Sequence, residues 1–465
     1  MLIGDYTNVF FLGIGGIGMS ALARWFVARH YTVAGYDRTP SQLTDELKKE
    51  GISITYDESI DALPACFSDS IHTLVVRTPA VPADQQQLQY FSKHGFTIMK
   101  RSEVLGELTR QMRSLCVAGT HGKTTTSTIL AHLMYQSDIS CNAFLGGISN
   151  NYGTNMLLSP DSNYVVVEAD EYDRSFHQLT PYMSILTSAD PDHLDIYGDK
   201  AGFREGFEHY TSLIKKGGAL IIKQGTDITP RLQTTVKLFT YTGILPDEAE
   251  DKPDFYATNV IVKNSQIWFD FVTPRTTIQH LKLGVPVYVN IENSVAAMAV
   301  AWLNGVNETE LRLRLASFTG VYRRFNILVS KPDIVYIDDY AHHPTELQTS
   351  LDSIRRIYPD QPLTAIFQPH LYSRTRDFAD GFARVLSNAD RVILLPIYPA
   401  REEPIEGVSS EMLLSRISCA DKYLMSKTEL LEWIQSNRQQ GVVATLGAGD
   451  IDRLVPQIKK ILTSQ

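Results

Sequence analysis

The segment Gly119-Thr120-His121-Gly122-Lys123-Thr124-Thr125 constrains this chain more than any other. An apolar run, Leu115-Cys116-Val117-Ala118, precedes it and a helical pattern from about Thr124 to Tyr135 follows, so the segment is predicted to be a glycine-rich strand-to-helix turn. Such a turn aims backbone N–H groups and the positive end of a helix at one spot, which suits phosphate oxygens. Lys123 is placed to neutralise the terminal phosphates, and Thr124 or Thr125 to offer a hydroxyl to Mg²⁺. Strict phosphate-loop spacing puts glycine at position 117, where this chain has Val117, so the loop is a variant of that pattern.

A phosphate loop needs a carboxylate to complete a metal site. The buried run Val165-Val166-Val167 ends in Glu168-Ala169-Asp170-Glu171, and Glu168 is the candidate Mg²⁺ ligand. A further strand end, Leu186 to Asp195, brings His193 and more acids toward the same edge. Ligands of open α/β sheets bind at the carboxyl ends of strands.

A second glycine turn lies near the start. Val9-Phe10-Phe11-Leu12 reads as a strand, Gly13, Gly15 and Gly18 fit G-x-G-x-x-G, and Met19, Leu22, Ala23 and Phe26 follow at helical spacing. The next strand, Thr32 to Tyr36, ends at Asp37, about 20 residues on, where an acid can hold a ribose hydroxyl. This pattern asks for a diphosphate on a helix N-terminus and does not specify nicotinamide.

At 465 residues the chain exceeds a single core, and about 150 residues per domain gives roughly three domains. The predicted fold class is α/β. Residues 1–106 form a Rossmann-like domain, 107–319 a central ATPase-type domain with a mostly parallel sheet, and 320–465 a second Rossmann-like domain. Strands are expected at Thr73–Val76, Tyr164–Val167 and Met183–Leu186, and period-two alternation between about 225 and 290, as in Asn259–Phe271, predicts a β insertion decorating the central domain. Strand and helix signals alternate again through Ile334–Ile337, a helix after Pro344, Thr364–Phe367, Val392–Leu395 and Val442–Leu446. Two of these strands run into Asp338-Asp339-Tyr340-Ala341-His342-His343 and Gln368-Pro369-His370-Leu371-Tyr372-Ser373-Arg374-Thr375-Arg376, where Arg374 or Arg376 can clamp a carboxylate. Gly447 and Gly449 before Asp450 read as a structural turn.

A formal charge of −9 argues against a nucleic-acid surface, so any anion must be held by a local site. Cys66, Cys116, Cys141 and Cys419 are widely spaced, which predicts reduced thiols and a cytoplasmic protein. The uncharged stretch Tyr6–Ala23 lacks a positive n-region and is broken by glycines, so it reads as a turn rather than a leader, and no window predicts membrane insertion.

Together the motifs GIGGIGMSALA, RSEVL from Arg101, GTHGKTTT, EADEYDRSF, LTSADPDHLDIYGD, NIENSVAA, GVYRRF, DDYAHHPTE, FQPHLYSRT and YPAREEPIEGVSS resemble, in this order, those of the Mur ligases of bacterial cell-wall synthesis. The resemblance spans nearly the whole chain. It implies a UDP-sugar domain, a central ATPase and an amino-acid domain, with ATP as co-substrate and Mg²⁺ as cofactor. It implies that Gly119, Thr120, His121, Gly122, Lys123, Thr124, Thr125, Asn290, Asn293, Arg324 and Asp339 surround ATP, and that Thr125, Glu168 and His193 hold the metal. Lys123, Glu168, His193, Arg324 and Asp339 would carry catalysis. Gly15, Gly16, Ile17, Gly18, Ser20, Asp37, Arg38, Thr78, Arg101 and His121 would contact the UDP-sugar, and Tyr340, His342, His370 and Arg374 the amino acid.

Three departures bear on the branch. The family's usual His before Asn290 is Val289, and the position after His370, often Arg, is Leu371. Phe203 to Tyr210 lacks the lysine that several sister ligases carbamylate, as in the alanine-adding branch, so metal or another side chain would do that lysine's work. The expected substrates are UDP-N-acetylmuramate, L-alanine and ATP, joined through an acyl phosphate by a monomer or weak homodimer. A branch that adds an intact tripeptide to the same UDP-sugar is the nearest alternative, although HHPTE and PHLYSRT favour alanine. A nucleotide-dependent switch and a nicotinamide oxidoreductase are the other classes; the latter rests on the first glycines alone.

Overall fold

A computed structural model describes residues 3–191, 194–246, 249–400 and 402–464. The chain divides into two compact units, one of residues 1–260, 269–284 and 291–319, the other of residues 261–268, 285–290 and 320–465.

The first unit opens with five strands: β1 (Asn8–Leu12), β2 (Thr32–Tyr36), β3 (Ser53–Thr55), β4 (Thr73–Arg77) and β5 (Thr97–Lys100). They pair in the order β3-β2-β1-β4-β5, and every pairing is parallel. Chain order reverses between β1 and β4, so a crevice opens at the carboxyl end of β1, where the first glycine turn begins. The central strands β1 and β4 are apolar throughout their middles because helices cover both faces, with Phe10, Phe67 and Phe91 on one side and Phe11, Phe26 and Leu74 on the other.

The same unit contains, apart from residues 261–268, a larger sheet: β6 (Arg113–Ala118), β7 (Asn142–Ser149), β8 (Thr154–Leu157), β9 (Tyr164–Glu168), β10 (Met183–Leu186), β11 (Ala219–Lys223), β12 (Lys237–Ile244), β13 (Phe255–Lys263), β14 (Gln266–Val272) and β15 (Thr277–Lys282). Their order is β15-β14-β13-β12-β11-β10-β6-β9-β7-β8. The expected β insertion decorates the central domain by extending its sheet. β12 pairs in parallel register with β11, and β13 to β15 extend the same sheet outward. Alternation holds in the first half of β13, where Phe255 and Ala257 are buried and Tyr256 and Thr258 only half-buried, because these outer strands have one face to solvent. Asn264 and Ser265, both with positive φ, form the two-residue turn between β13 and β14.

The second unit carries β16 (Asn326–Ser330), β17 (Ile334–Asp339), β18 (Leu363–Phe367), β19 (Arg391–Leu394), β20 (Asp421–Leu424) and β21 (Gly441–Leu446). The order is β16-β17-β21-β18-β19-β20, antiparallel only at β16. Among the described residues no helix is long and apolar enough to cross a membrane. All four cysteines are free, Cys66 exposed and the others buried.

Candidate functional site

The phosphate loop leaves β6 through Gly119 at φ +133° and enters the Lys123–Tyr135 helix through Gly122 at φ +77°. Both angles belong to the region that glycine occupies without strain. Gly119 is also fixed by crowding, since a Cβ there would lie 2.1 Å from Thr187 Oγ1 and 2.8 Å from the Ser188 nitrogen. The turn is bound to the residues that follow β10. Thr120 Oγ1 donates to the Asp190 carbonyl at 2.8 Å, the His121 amide to Ser188 Oγ at 3.1 Å, and Thr187 Oγ1 to the His121 carbonyl at 2.6 Å. No side chain caps the helix at Gly122, and its first turn holds no acid, so its leading N–H groups face an anion without competition from a capping side chain.

Lys123 Nζ is drawn back over its own loop. It donates to the Gly119 carbonyl at 2.7 Å, to the Thr120 carbonyl at 3.3 Å and to Glu171 Oε1 at 2.9 Å. Glu171 is almost fully buried, and burial raises its pKa while the Lys123 ammonium opposes that rise. A lysine in this cage is a mobile cation on a fixed anion, able to exchange carbonyls for phosphate oxygens.

Glu168 ends β9, and its Oε1 accepts from Thr124 Oγ1 at 3.2 Å. Thr125, the hydroxyl expected at the metal, is not the one that meets Glu168. Successive helix residues diverge by about 100°, so only one of the two threonines can face that carboxylate. Gly146 on β7 makes room for it, since a Cβ there would stand 2.2 Å from Glu168 Oε2. A hydroxyl and a carboxylate beside a helix N-terminus are hard oxygen donors suited to Mg²⁺. Among the described residues no group of three or more His, Cys, Asp or Glu stands together as a metal site. His193 lies outside the described residues. Asn293 closes the far side of the loop: its Oδ1 accepts from Thr126 Oγ1 at 3.1 Å and lies 2.9 Å from where a Gly122 Cβ would be. Asn290, one helical turn earlier, is also buried, whereas Val289 is exposed.

At the first glycine turn, the Gly15 amide donates to Asp37 Oδ2 at 2.7 Å, so Asp37 already holds the turn. Gly13, at φ +85°, lies against Thr78, and Gly18 against Arg101, whose Nη1 would be 2.6 Å from a Cβ. Gly16 starts the Ile17–Ala28 helix without a side-chain cap, and Ile17 and Arg38 are exposed. Ser20 Oγ is turned inward onto the Ile17 carbonyl at 2.9 Å. The turn is tied to the acid loop after β9: Arg101 Nη2 is 3.5 Å from Asp170 Oδ2, and Lys100 Nζ is 3.1 Å from Asp173 Oδ2. Asp173 and Arg174 both have positive φ, backbone strain that clusters at functional sites. His121 is exposed, with Nε2 3.8 Å from Asp190 Oδ2.

In the second unit, Asp339 ends β17, buried, with Ser350 Oγ donating to its carboxylate. Burial raises its pKa to about 6 against the opposing pull of Ser350 and Arg324. Arg324 lies between Arg323 and Phe325, both at positive φ, and its guanidinium is 5.1 Å above the Tyr340 ring. His342 and His370 face each other with ring centres 6.2 Å apart, and Arg374 Nη1 is 3.3 Å from His370 Nδ1. Burial lowers both imidazole pKa values, that of His370 to about 4 with help from Arg374, so both rings are neutral near pH 7. Of the two arginines considered for a carboxylate, Arg376 is exposed and bound to Asp377 at 2.7 Å, which leaves Arg374 at the histidine pair. Leu371 adopts φ +68°. The Gly447 turn packs on the Gln368 backbone, as a structural turn should, and Arg323 Nη2 donates to the Gly447 carbonyl at 2.6 Å.

Sequence reasoning passed over Glu171, Glu346, Arg323 and Asn155. Glu346 had a signal, because it stands three residues after His343 and closes a capping box at the start of the Pro344–Ile357 helix. Its Oε2 also accepts from the His342 amide at 3.0 Å. The other three act through partners far away in sequence.

Family profiles match residues 8–113 (Mur ligase family, catalytic domain), 117–301 (Mur ligase middle domain) and 323–449 (Mur ligase, glutamate ligase domain). A UDP-N-acetylmuramate--L-alanine ligase of Parabacteroides distasonis is 54% identical over 100% of this chain and 99% of its own length. One of Porphyromonas gingivalis is 53% identical over 98% and 99%. Among solved structures, the UDP-N-acetylmuramate-alanine ligase of Thermotoga maritima superposes with a TM-score of 0.81 at 26% identity, covering 98% of this chain and 99% of that one. A murein peptide ligase of Psychrobacter arcticus shares the fold with a TM-score of 0.68 at 22% identity, covering 99% of each chain. Profiles over three successive segments and relatives matched end to end lead to one conclusion: the chain belongs to the Mur ligase family.

Proposed function

We propose that this protein joins L-alanine to the lactyl carboxylate of UDP-N-acetylmuramate at the expense of ATP, in cell-wall precursor synthesis. The observation that carries the phosphoryl chemistry is the Lys123 cage over an uncapped helix N-terminus, with Thr124 and Glu168 beside it. The substrates follow from the names of relatives that match the chain end to end.

A free carboxylate is a poor electrophile, so it must first be activated. A carboxylate oxygen attacks the γ-phosphorus, the bond to the bridging oxygen breaks, and ADP leaves. The neutral amine of L-alanine then attacks the acyl carbon, a tetrahedral intermediate forms, and phosphate departs with the shared oxygen while the amine loses a proton. Lys123 neutralises charge on the transferring group, and the loop amides hold its oxygens in line. Thr124 and Glu168 fit Mg²⁺, with His193 as a further ligand, and the bound ion would offset phosphate charge. Thr125 then serves the loop rather than the metal.

Residues 1–106 are assigned to the UDP-sugar through Gly15, Gly18, Arg38, Thr78 and Arg101, residues 107–319 to ATP, and residues 320–465 to the amino acid. Arg324 and Asp339 are assigned to the nucleotide. The neutral pair His342 and His370 with Arg374 suits an amino acid, since Arg374 can bind its carboxylate while an unprotonated imidazole accepts from its amine.

Phosphate release from ATP, Mg²⁺ and UDP-N-acetylmuramate, screened against acceptors, tests the reading. Stimulation by L-alanine and not by tripeptide is expected. Stimulation by tripeptide alone would move the chain to the tripeptide-adding branch, and no release with any acceptor would reject the assignment.

A further inference from the structure

Asn155, at the start of β8, is fully buried and spends every polar atom of its side chain on the first glycine turn's helix. Its Nδ2 donates to the Ile17 carbonyl and to Ser20 Oγ, the latter at 3.0 Å. Its Oδ1 accepts from Arg24 Nη1 at 2.5 Å, and Arg24 is held in turn by Glu50 through Nε at 2.9 Å and Nη2 at 2.7 Å. The arginine fixes the orientation of the amide, because a guanidinium only donates. The nitrogen must then face the helix.

The turn that precedes β8 is itself braced. Asn151 donates to the Ser317 carbonyl at 2.8 Å and accepts from the Thr319 amide at 2.9 Å. Asn150 donates to the Thr319 carbonyl at 3.1 Å. Tyr152 hydrogen-bonds His132 at 2.7 Å, and His132 reaches Ser317 Oγ at 3.0 Å. β8 lies at one edge of the central sheet, next to β7, which is next to β9 and Glu168. β9 and β8 are thus joined through β7, and Asn155 reaches from β8 to the first turn of the Ile17–Ala28 helix, which has no side-chain cap of its own.

We propose that Asn155 is a positioning residue for the UDP-sugar: by gripping Ile17 and Ser20 from the central domain, it sets where the glycine turn holds the diphosphate relative to Glu168 and the phosphate loop. The inference rests on the UDP-sugar and ATP assignments above. Small displacements matter here because in-line attack tolerates little misplacement of the reacting atoms.

Two variants separate positioning from bulk stability. Asn155→Asp keeps the volume and the Arg24 contact but sets a carboxylate oxygen against the Ile17 carbonyl, whereas Asn155→Ala removes all three hydrogen bonds. Steady-state KM values for all three substrates, calorimetric binding of UDP-N-acetylmuramate and of ATP to the full-length protein, and thermal midpoints would be measured. Asn155→Asp is expected to raise the KM and the calorimetric Kd for UDP-N-acetylmuramate by roughly tenfold or more, with ATP affinity within about twofold of wild type. UDP-sugar affinity unchanged in Asn155→Asp, or all three KM values rising together with a collapsed thermal midpoint, would overturn the proposal. If wild type shows no turnover the functional reading fails, and the calorimetric comparison still decides whether Asn155 positions the UDP-sugar.

Discussion

The two glycine turns of the first unit share a plan, a parallel strand running into a helix through residues only glycine fits, yet they use it differently. At Gly13–Gly18 the turn is held from two sides: Asp37 takes the Gly15 amide and Thr78 and Arg101 press on Gly13 and Gly18, while Asn155 of the central domain holds the Ile17 carbonyl. At Gly119–Gly122 the turn is held from the neighbouring strand end by Thr187 and Ser188, and a lysine lies across it. The backbone makes an anion site in both cases, and the charges around it decide whether the anion is bound or transferred. The first turn has one cation beside it, Arg101 against Gly18, engaged with Asp170 of the central domain. The second has Lys123 inside the loop and Glu168 and Glu171 behind it.

The comparison can be broken most directly at Lys123. Lys123→Ala is expected to lower kcat by about a thousandfold or more, measured as ADP formation, with UDP-N-acetylmuramate binding unchanged by calorimetry. Gly146→Ala comes next, because the new methyl would meet the Glu168 carboxylate; a loss of kcat of about a hundredfold with a native circular dichroism spectrum is expected. The matching change in the first turn, Gly18→Ala, meets only the mobile end of Arg101, so a rise of a few fold in the KM for UDP-N-acetylmuramate and an unchanged ATP KM are expected. If Gly18→Ala instead abolished turnover, the two turns would not divide the work as described.

The smallest expected effect concerns His132, near the far end of the phosphate-loop helix. Burial lowers its pKa from 6.5 to about 4, so between those values the unfolded chain binds a proton that the folded chain refuses. Stability from this group is complete above pH 6.5 and is lost as the pH falls toward 4. The thermal midpoint should drop over that window more steeply in wild type than in His132→Gln, and identical slopes would contradict the assignment.

Much of this was legible from local pattern. The strands flanking both turns, from Val9 and Leu115 onward, are apolar runs that only a sheet covered on both faces needs, and the glycines mark where each strand must turn sharply. Residues acting through sequence-distant partners left no such mark. Glu171 meets Lys123 across 48 positions, and Asn155 meets Ser20 across 135. Period-two alternation signals strands between 225 and 290 and a β insertion on the central domain, but carries no information on the pairing by which β12 to β15 continue its sheet. The choice between Thr124 and Thr125 likewise depends on helix phase relative to β9, which adjacent letters cannot give.

The central claim, that the loop around Lys123 hands a phosphoryl group to a sugar acid, has one direct test. UDP-N-acetylmuramate labelled with oxygen-18 in its lactyl carboxylate should, on complete ligation to L-alanine, yield inorganic phosphate carrying one labelled oxygen per molecule from a fully labelled carboxylate. Ligation that releases unlabelled phosphate would mean the carboxylate is never phosphorylated, and the account would fall.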